Sequence, residues 1–496
     1  YIKSIYTCTI LYWKQIRFIN VFLSNIPSAT VESEEQRDRF TAEAHVLRAY
    51  FYLQLIKWYG NLPVLTEPIP VDYDYSKLRK NSFEECARQI VADCDAAIAS
   101  NNLPWRITSE VEIRRMTKAI ACAIRSEASL WAASPRFNDG KDLWEWAYQV
   151  NKESLDMLLS HGYELYTHIN NPSLYKTAYE EYFIETADLR ENPRDKETIW
   201  QGHQKTASHF VIRGLPVQGG GYMAGAVPTQ ELVDAYDMLA TGKPVLNLAK
   251  PYNDETKLQP NYNPGSGYDP QNPYEGRDPR FYASIHFNGS TVLVNGTPIK
   301  VETFVGGNCG ISNDRSHTRT GYYNRKYMHP EAGQLRPQDD GLWKHYRLGA
   351  VYLNAAEAAA QTGRTEEAMK YVNTIRHRAG FSPSVDIKAN SKEEAVLYVH
   401  HERQVELCYE EYRYFDTRRW CKPDEDNICE KFSTGMRITR NGDNTFSYQR
   451  VLVGTLSTET PSKMSYEKKY HLLPIPLDEV SKLESQTGDS WQNTGW

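Results

Sequence analysis

In the stretch AEAHVLRAYFYLQLIKWYGNLPVL (42–65), Val46, Leu47, Tyr50, Phe51, Leu53, Leu55, Ile56, Trp58 and Tyr59 leave almost no polar face. Only Glu43, His45, Arg48, Gln54 and Lys57 break the apolar surface. A helix apolar nearly all round belongs in a large core, in a membrane or at a binding surface. The membrane choice fails because Arg48, Gln54 and Lys57 fall inside the run, and no other window reaches the roughly 18 apolar residues of a span. The stretch is expected to be an internal scaffold helix covered by its neighbours. Arg48 is then a buried or half-buried anchor that bonds helix-end carbonyls or a carboxylate, because an unpaired charge there is very costly.

The same periodicity predicts further helices. One runs from about Tyr6 to Ile26 and stops at Pro27; the next covers Glu34 to Tyr59 and is ended by Gly60 and Pro63. In SFEECARQIVADCDAAIAS, Ser82 is the N-cap and Glu85 completes a capping box. A fourth helix extends from about Arg114 to Ala133 before Pro135, and a fifth from Leu143 to about Ser160. Short links between helices of similar length suggest stacked helical hairpins. LNAAEAAAQTGRTEEAMKY (353–371) carries small residues, a turn at Gly363 and then Ala368 and Tyr371, the grammar of a tetratricopeptide hairpin. Segments 83–98 and 144–158 carry weaker copies at irregular spacing, so a degenerate solenoid with insertions is expected. VHHERQVELCYEEYRYFDTRRW (399–420) reads as one helix in which Glu406, Glu410, Glu411 and Asp416 alternate with Arg403, Arg413 and Arg418, a pattern of internal ion pairing.

Between about 200 and 342 the pattern changes. Gly and Pro cluster in LPVQGGGYMAGAVP and NYNPGSGYDPQNPYEGRDPR, and FYASIHF and STVLV look like short strands beside NGS and NGT turns. TRNGDNTFSYQ is a second hairpin candidate after Trp420. Ordered loops on a rigid frame are where binding function usually lives.

Composition narrows the picture. The net charge of −6 over 496 residues argues against a grip on nucleic acid, which needs a concentrated basic face. The 34 tyrosines, 11 tryptophans and 15 phenylalanines suit recognition surfaces as well as cores. The eight cysteines show no CxxC pair and no zinc spacing. Cys86 and Cys94 fall about 12 Å apart on one helix, too far for a disulfide, whereas Cys421 and Cys429 flank a loop and could pair in an oxidising compartment. Tyr1 is preceded by no initiator Met or signal peptide, and Ile5-Tyr6-Thr7 before Cys8 is not a lipoprotein cleavage context. The start is read as truncated or processed.

No catalytic pattern holds. His400-His401-Glu402 is followed by Val405 where a zinc-protease helix needs His. Gly265-Ser266-Gly267 is a turn rather than a nucleophile elbow, and GGGYMAGAVP leads into Pro228 rather than a helix, so no dinucleotide fingerprint is present. The acidic residues of 399–420 alternate with arginines instead of flanking a bond as a glycosidase pair must. The chain is expected not to be an enzyme, with no catalytic residues, no cofactor and no metal site.

Taken together, AEAHVLRAYFYLQLIKWYGNLPVL, GAVPTQELVDAYDM, GRDPRFYASIHFNGS, TGYYNRKY, YRLGAVYLNAAEAAAQTG, VNTIRHRAG, ERQVELCYEEYRYFDTRRW, YHLLPIPLDEV and QNTGW follow the order of the SusD/RagB family, which the chain resembles over nearly its whole length. The resemblance implies a mainly α fold, a tetratricopeptide-like helical hairpin scaffold with long irregular loops and short β-hairpins. It implies a single SusD-like domain over 1–496, with 1–200 and 343–420 as helical frame and 201–342 and 421–496 as the loop-rich, ligand-binding portion. It further implies a non-enzymatic, surface-exposed outer-membrane lipoprotein, acylated on a cysteine upstream of residue 1. Such a protein captures oligo- or polysaccharide and acts as the lid of a SusC-like TonB-dependent transporter in nutrient import. Peptide binding, by an ordinary helical-repeat protein or a peptide-importing member of the same family, is the alternative.

A sugar shows C–H patches on its ring faces and hydroxyls on its rim, so its site needs flat aromatic platforms and planar hydrogen-bonding groups. FVGGNCGISNDRSHTRTGYYNRKY (304–327) holds both. Asn308, Asn313, Asp314, Arg315, His317 and Arg319 are expected to bond hydroxyls, and Tyr322 and Tyr323 to offer faces. Gly306, Gly307 and Gly310 permit the tight backbone. Trp105, in LPWRIT, is a further exposed-aromatic candidate, while Cys309 reads equally as a core thiol and Trp343 as packing.

Overall fold

The computed structural model describes residues 2–184, 193–205, 216, 224–294, 296–312, 314–330, 341–425, 432–453 and 467–496, with the side chains of 2–10 and 203–205 left out. Helices dominate. The N-terminal part consists of α1 (Ile2–Asn25), α2 (Glu34–Tyr59), α3 (Phe83–Ala99), α4 (Lys118–Ala133) and α5 (Trp144–Ser160), each packed on the next. α2 begins at N-cap Ser33 and ends at Gly60, whose positive φ of 74° turns the chain out of the helix. α3 carries the full Ser82/Glu85 capping box.

α4 starts a few residues after Arg114 because Thr117 caps it, accepting a hydrogen bond from the Ile120 N–H at 3.2 Å. Its KAIACAIRSEASLWAA sequence is buried from Ala119 to Ala133. Small side chains let neighbours close on every side, and the buried polar atoms are satisfied. Ser126 donates to Asn151 at 2.6 Å, and Arg125 is held by Ser154, Glu153 and Asp95.

Arg48 is the buried anchor expected. It makes a two-pronged contact with Asp93 of α3 at 2.9 and 2.6 Å, and its third nitrogen donates to Asn20 Oδ1 of α1 and the Thr66 carbonyl, each at 2.9 Å. One guanidinium thus ties three helices and the chain leaving α2.

The hairpin series resumes far along the chain with α9 (Leu348–Gln361), α10 (Thr365–Ala379) and α11 (Lys392–Glu406), and α9 packs directly on α5 and α4. Gly363 makes the α9–α10 turn with φ of 79°. Between α5 and α9 lie α6 (Ala178–Tyr182), β1 (Thr198–Lys205), α7 (Gln230–Ala235), α8 (Pro279–Ser284), β2 (Ile285–His286), β3 (Thr291–Val294), β4 (Thr297–Lys300), β5 (Tyr323–Asn324) and β6 (Leu342–Arg347). After α11 come α12 (Tyr412–Trp420), the hairpin β7 (Thr434–Arg440) and β8 (Phe446–Leu452), and α13 (Leu477–Thr487). Among the described residues all strand pairs are antiparallel: β1 with β6, β2 with β5, β3 with β4, β7 with β8.

Two expectations are corrected. FYASIHF is not a strand: Asp278 caps the Arg280 N–H at 2.8 Å and Pro279 fits the first helical turn, so 279–284 is helical and only Ile285-His286 pairs. The 399–420 stretch is two helices, because Tyr409 and Glu411 take left-handed φ values of 60° and 68°. That break turns Glu410 inward, and the ion pairing reaches mostly to other elements. Glu410 meets Lys326 at 2.7 Å and Arg347 at 2.6 Å, while Glu406 meets Arg347 at 2.7 Å, Arg280 at 2.8 Å and Arg378. Asp416, which meets Arg403 at 2.9 Å and Arg419 at 2.8 Å, pairs within the stretch.

The proposed Cys421–Cys429 bridge lies outside the described residues at Cys429; the Cys421 thiol donates to the Thr417 carbonyl at 3.2 Å. Among the described residues no helix is long and apolar enough to cross a membrane.

Candidate functional site

Residues 304–327 are pinned to the β7–β8 hairpin. The Val305 N–H donates to the Ile438 carbonyl and the Met436 N–H to the Thr320 carbonyl, both at 2.8 Å, while Phe304 packs on Phe446. A Cβ on Gly310 would sit 2.3 Å from the Phe304 carbonyl, and one on Gly307 2.4 Å from that of Glu302, so the tight backbone admits only glycine there.

The polar candidates on this loop divide. Asn308 accepts from the Glu302 N–H and donates to the Lys300 carbonyl, both at 3.0 Å, so its amide is spent on fastening the loop to β4. Arg315 is exposed, and His317 and Arg319 are half-buried. Arg319 Nη1 is buried with no hydrogen-bond partner among the described residues, and burial pushes the guanidinium below its usual pKa. Asp314 is exposed and folds back on Ser316. Asn313 lies outside the described residues.

The tyrosines are corrected. Tyr322 is fully buried; its hydroxyl donates to Gln230 at 2.7 Å and accepts from Tyr274 at 3.3 Å. Tyr323 is equally buried, its hydroxyl accepting from the Thr318 N–H and donating to the Cys309 carbonyl, each at 3.0 Å. Neither ring presents a face to solvent, because the loop folds its aromatic end into the core and leaves its basic end outside. Cys309 is a buried core residue, and Trp343 stacks on Tyr327 at 5.6 Å as packing.

Trp105 is half-buried and stacks on His161 at 3.7 Å, with Lys118 Nζ 5.8 Å from its ring. No hydrogen bond or ring contact among the described residues joins it to the 308–319 loop. Its carbonyl accepts from the Tyr163 hydroxyl at 2.8 Å, which places it behind a second feature.

That feature is a cleft of about 60 Å³, walled by the chain before α4, by Tyr163 and by β1 (Thr198, Ile199, Trp200, Gln201). On a regular strand, neighbours face opposite sides. Here the pairing slips, with Trp200 opposite Tyr346 but Gln201 opposite Lys344, and both residues line the cleft. Such irregularities commonly re-aim side chains beside sites.

Trp200 is half-buried and braced by Tyr50, His345 and Tyr346 at 5.0, 4.7 and 6.2 Å between ring centres. Arg106 lies over the Tyr163 ring at 4.1 Å, and burial pushes the Tyr163 hydroxyl up to about 12. Arg115 is neutralised by Glu43 at 2.8 Å and Glu112 at 3.1 Å. Asp195 is saturated by the Glu197 and Thr198 N–H groups and the Thr198 hydroxyl. The arrangement combines aromatic surface with planar donors and suits binding.

The sequence marks Trp105 in LPWRIT as an aromatic candidate, but it does not mark Arg106 beside it, nor Tyr163, Trp200 and Gln201, as lining one cleft. No local pattern marks them, since β1 meets β6 only through the tertiary fold.

Among the described residues, fold and cleft define a helical-hairpin frame carrying a long loop-rich insertion. The chain belongs to the SusD family, whose model matches residues 184–496, and a second model described as starch-binding associating with outer membrane matches 3–130. A SusD-like protein of Bacteroides fragilis is similar, with 25% identity, 98% of this chain and 85% of that one covered, and a TM-score of 0.72. A SusD-like carbohydrate-binding protein of the same organism shows 20% identity, coverage of 95% and 83%, and a TM-score of 0.66. Surface glycan-binding protein A of Bacteroides fluxus shows 18% identity, coverage of 98% and 84%, and a TM-score of 0.53. Among curated proteins nothing matches the chain.

Proposed function

We propose that this protein is a non-catalytic, surface-exposed lipoprotein that captures oligo- or polysaccharide and delivers it to a SusC-like TonB-dependent transporter, acting as its lid. The observation that carries the reading is the pair of family models, starch-binding over 3–130 and SusD over 184–496. In this reading 1–200 and 343–420 form the rigid frame, and 201–342 with 421–496 form the loop-rich portion of one SusD-like domain. The basic end of the 308–319 loop (exposed Arg315 with half-buried His317 and Arg319) and the cleft beside Trp105 supply ligand contacts. A lid works as a hinged body, and the buried ion pairs between frame and insertion support movement as one piece.

Titration calorimetry with a panel of polysaccharides and oligopeptides tests the binding half; one glycan class is expected to bind without release of reducing ends. A peptide preference, or sugar release by the pure protein, overturns it. Co-purification with a co-expressed SusC-like transporter tests the lid half, and failure to co-purify in detergent counts against it.

A further inference from the structure

The cleft walls contain more hydrogen-bond donors than they use. Lys344 Nζ donates to Gln201 Oε1 at 3.1 Å, and since an ammonium cannot accept, the amide NH2 must point the other way. Gln201 is 7% exposed, yet its Nε2 has no hydrogen-bond partner among the described residues. A buried donor left unmade costs about 1–3 kcal/mol, so a ligand that supplies an acceptor recovers that amount.

Arg106 is the second donor in surplus. Besides its place over Tyr163, its hydrogen bonds among the described residues go only to the carbonyls of Asp195 and Lys196, both at a long 3.4 Å, with no carboxylate partner. The cleft's own anion is occupied: Asp195 accepts from the Glu197 and Thr198 N–H groups and the Thr198 hydroxyl, with Lys344 Nζ 3.6 Å away. The N-terminal turn of α4, through Thr117 and Ile120, adds the positive end of a helix dipole to the same wall.

We propose that this cleft selects a carboxylate-bearing sugar unit, a uronic or sialic acid, with the carboxylate received by Arg106 and the Gln201 amide and the ring laid toward Trp200. The proposal rests on the glycan-binding reading above and adds its charge class. At about 60 Å³ the cleft exceeds the roughly 10–15 Å³ that holds one water, which suits a substituent rather than a whole ring. Arginine meets a carboxylate with two parallel N–H bonds, which gives orientation as well as affinity.

The test is calorimetry of the full chain against acidic oligosaccharides (oligogalacturonate, glucuronoxylan, alginate, hyaluronan and sialyl-oligosaccharides), their carboxyl-reduced forms, and neutral malto-, laminari- and xylo-oligosaccharides. At least one acidic ligand is expected to bind tenfold or more tightly than its carboxyl-reduced form, with the advantage shrinking as salt rises. Arg106→Gln and Gln201→Glu are expected to erase that advantage while Arg106→Lys keeps part of it. Unchanged circular dichroism and melting temperature certify each variant, and the wild-type comparison decides alone where a variant fails to fold. Binding of neutral glycans only overturns the carboxylate proposal and leaves the glycan reading intact. Acidic binding indifferent to all three variants overturns it too, and binding of peptides only, or of nothing in the panel, sinks both readings.

Discussion

Arg347, the residue before α9, reaches Glu406, the last residue of α11, at 2.7 Å, and both side chains are essentially out of solvent. Glu406 also receives Arg378 and, at 2.8 Å, Arg280, so one carboxylate joins the frame to the insertion. Burial raises its pKa, but the Arg378, Arg347 and Arg280 charges overcome that and hold it far below the carboxylate range. Breaking a buried pair from one side strands the partner, at about 3–5 kcal/mol. Arg347→Met is expected to lower the urea-unfolding free energy by that amount. A change below about 1 kcal/mol would show that the remaining cations compensate.

Arg48→Ala removes the bidentate bond to Asp93 together with the links to Asn20 and Thr66. A stability loss of about 3 kcal/mol is expected, with glycan affinity retained in whatever fraction stays folded. Loss of affinity at unchanged stability would refute the architectural role of this residue.

Stability should fall with acid in two stages. His286 is buried and held neutral, its pKa pushed down to about 3 by burial and by Arg325. The unfolded chain takes up this proton near pH 6.5 and the native one does not, so stability declines as pH falls below 6.5, by up to about 1.4 kcal/mol per unit. Burial raises Asp237, but His401 and Arg376 hold it down at about 2. Its contribution, on the order of 2 kcal/mol, is present above about pH 4 and is lost as pH falls toward 2. Urea titrations from pH 7 to 3 check both stages, and His286→Gln should make the first shallower, with buried His400 keeping part of it, while leaving the second.

The 308–319 loop and the tyrosines behind it can be separated. Tyr322→Phe deletes a hydroxyl bonded to Gln230 and Tyr274 and is expected to cost about 1 kcal/mol of stability without touching affinity. Arg319→Ala should leave stability within about 0.5 kcal/mol and weaken glycan binding. The reverse pattern would return Tyr322 to the ligand and remove Arg319 from it.

Local physics alone determined the ends of the long helices of the frame. A capping box at Ser82, Pro and Gly stops after Ile26 and Tyr59, and the small-residue turn at Gly363 each act within a few residues, so they can be read along the chain. Arg48 was legible for the same kind of reason, since no charge survives in that apolar surround without a partner. Burial across the chain was not legible. Tyr322 and Tyr323 look like free platforms in the sequence until the loop docks on β7–β8 and swallows them. The sequence of 399–420 has unbroken helical periodicity, yet the chain breaks at Tyr409 and Glu411, where φ is left-handed, and Glu410 turns in to Arg347 and Lys326. The cleft depends on β1 pairing with a strand far along the chain, with a register slip that no local pattern encodes. Contacts between distant segments reward the chain only once the loops between them have closed, and here those contacts decided which donors were left without acceptors.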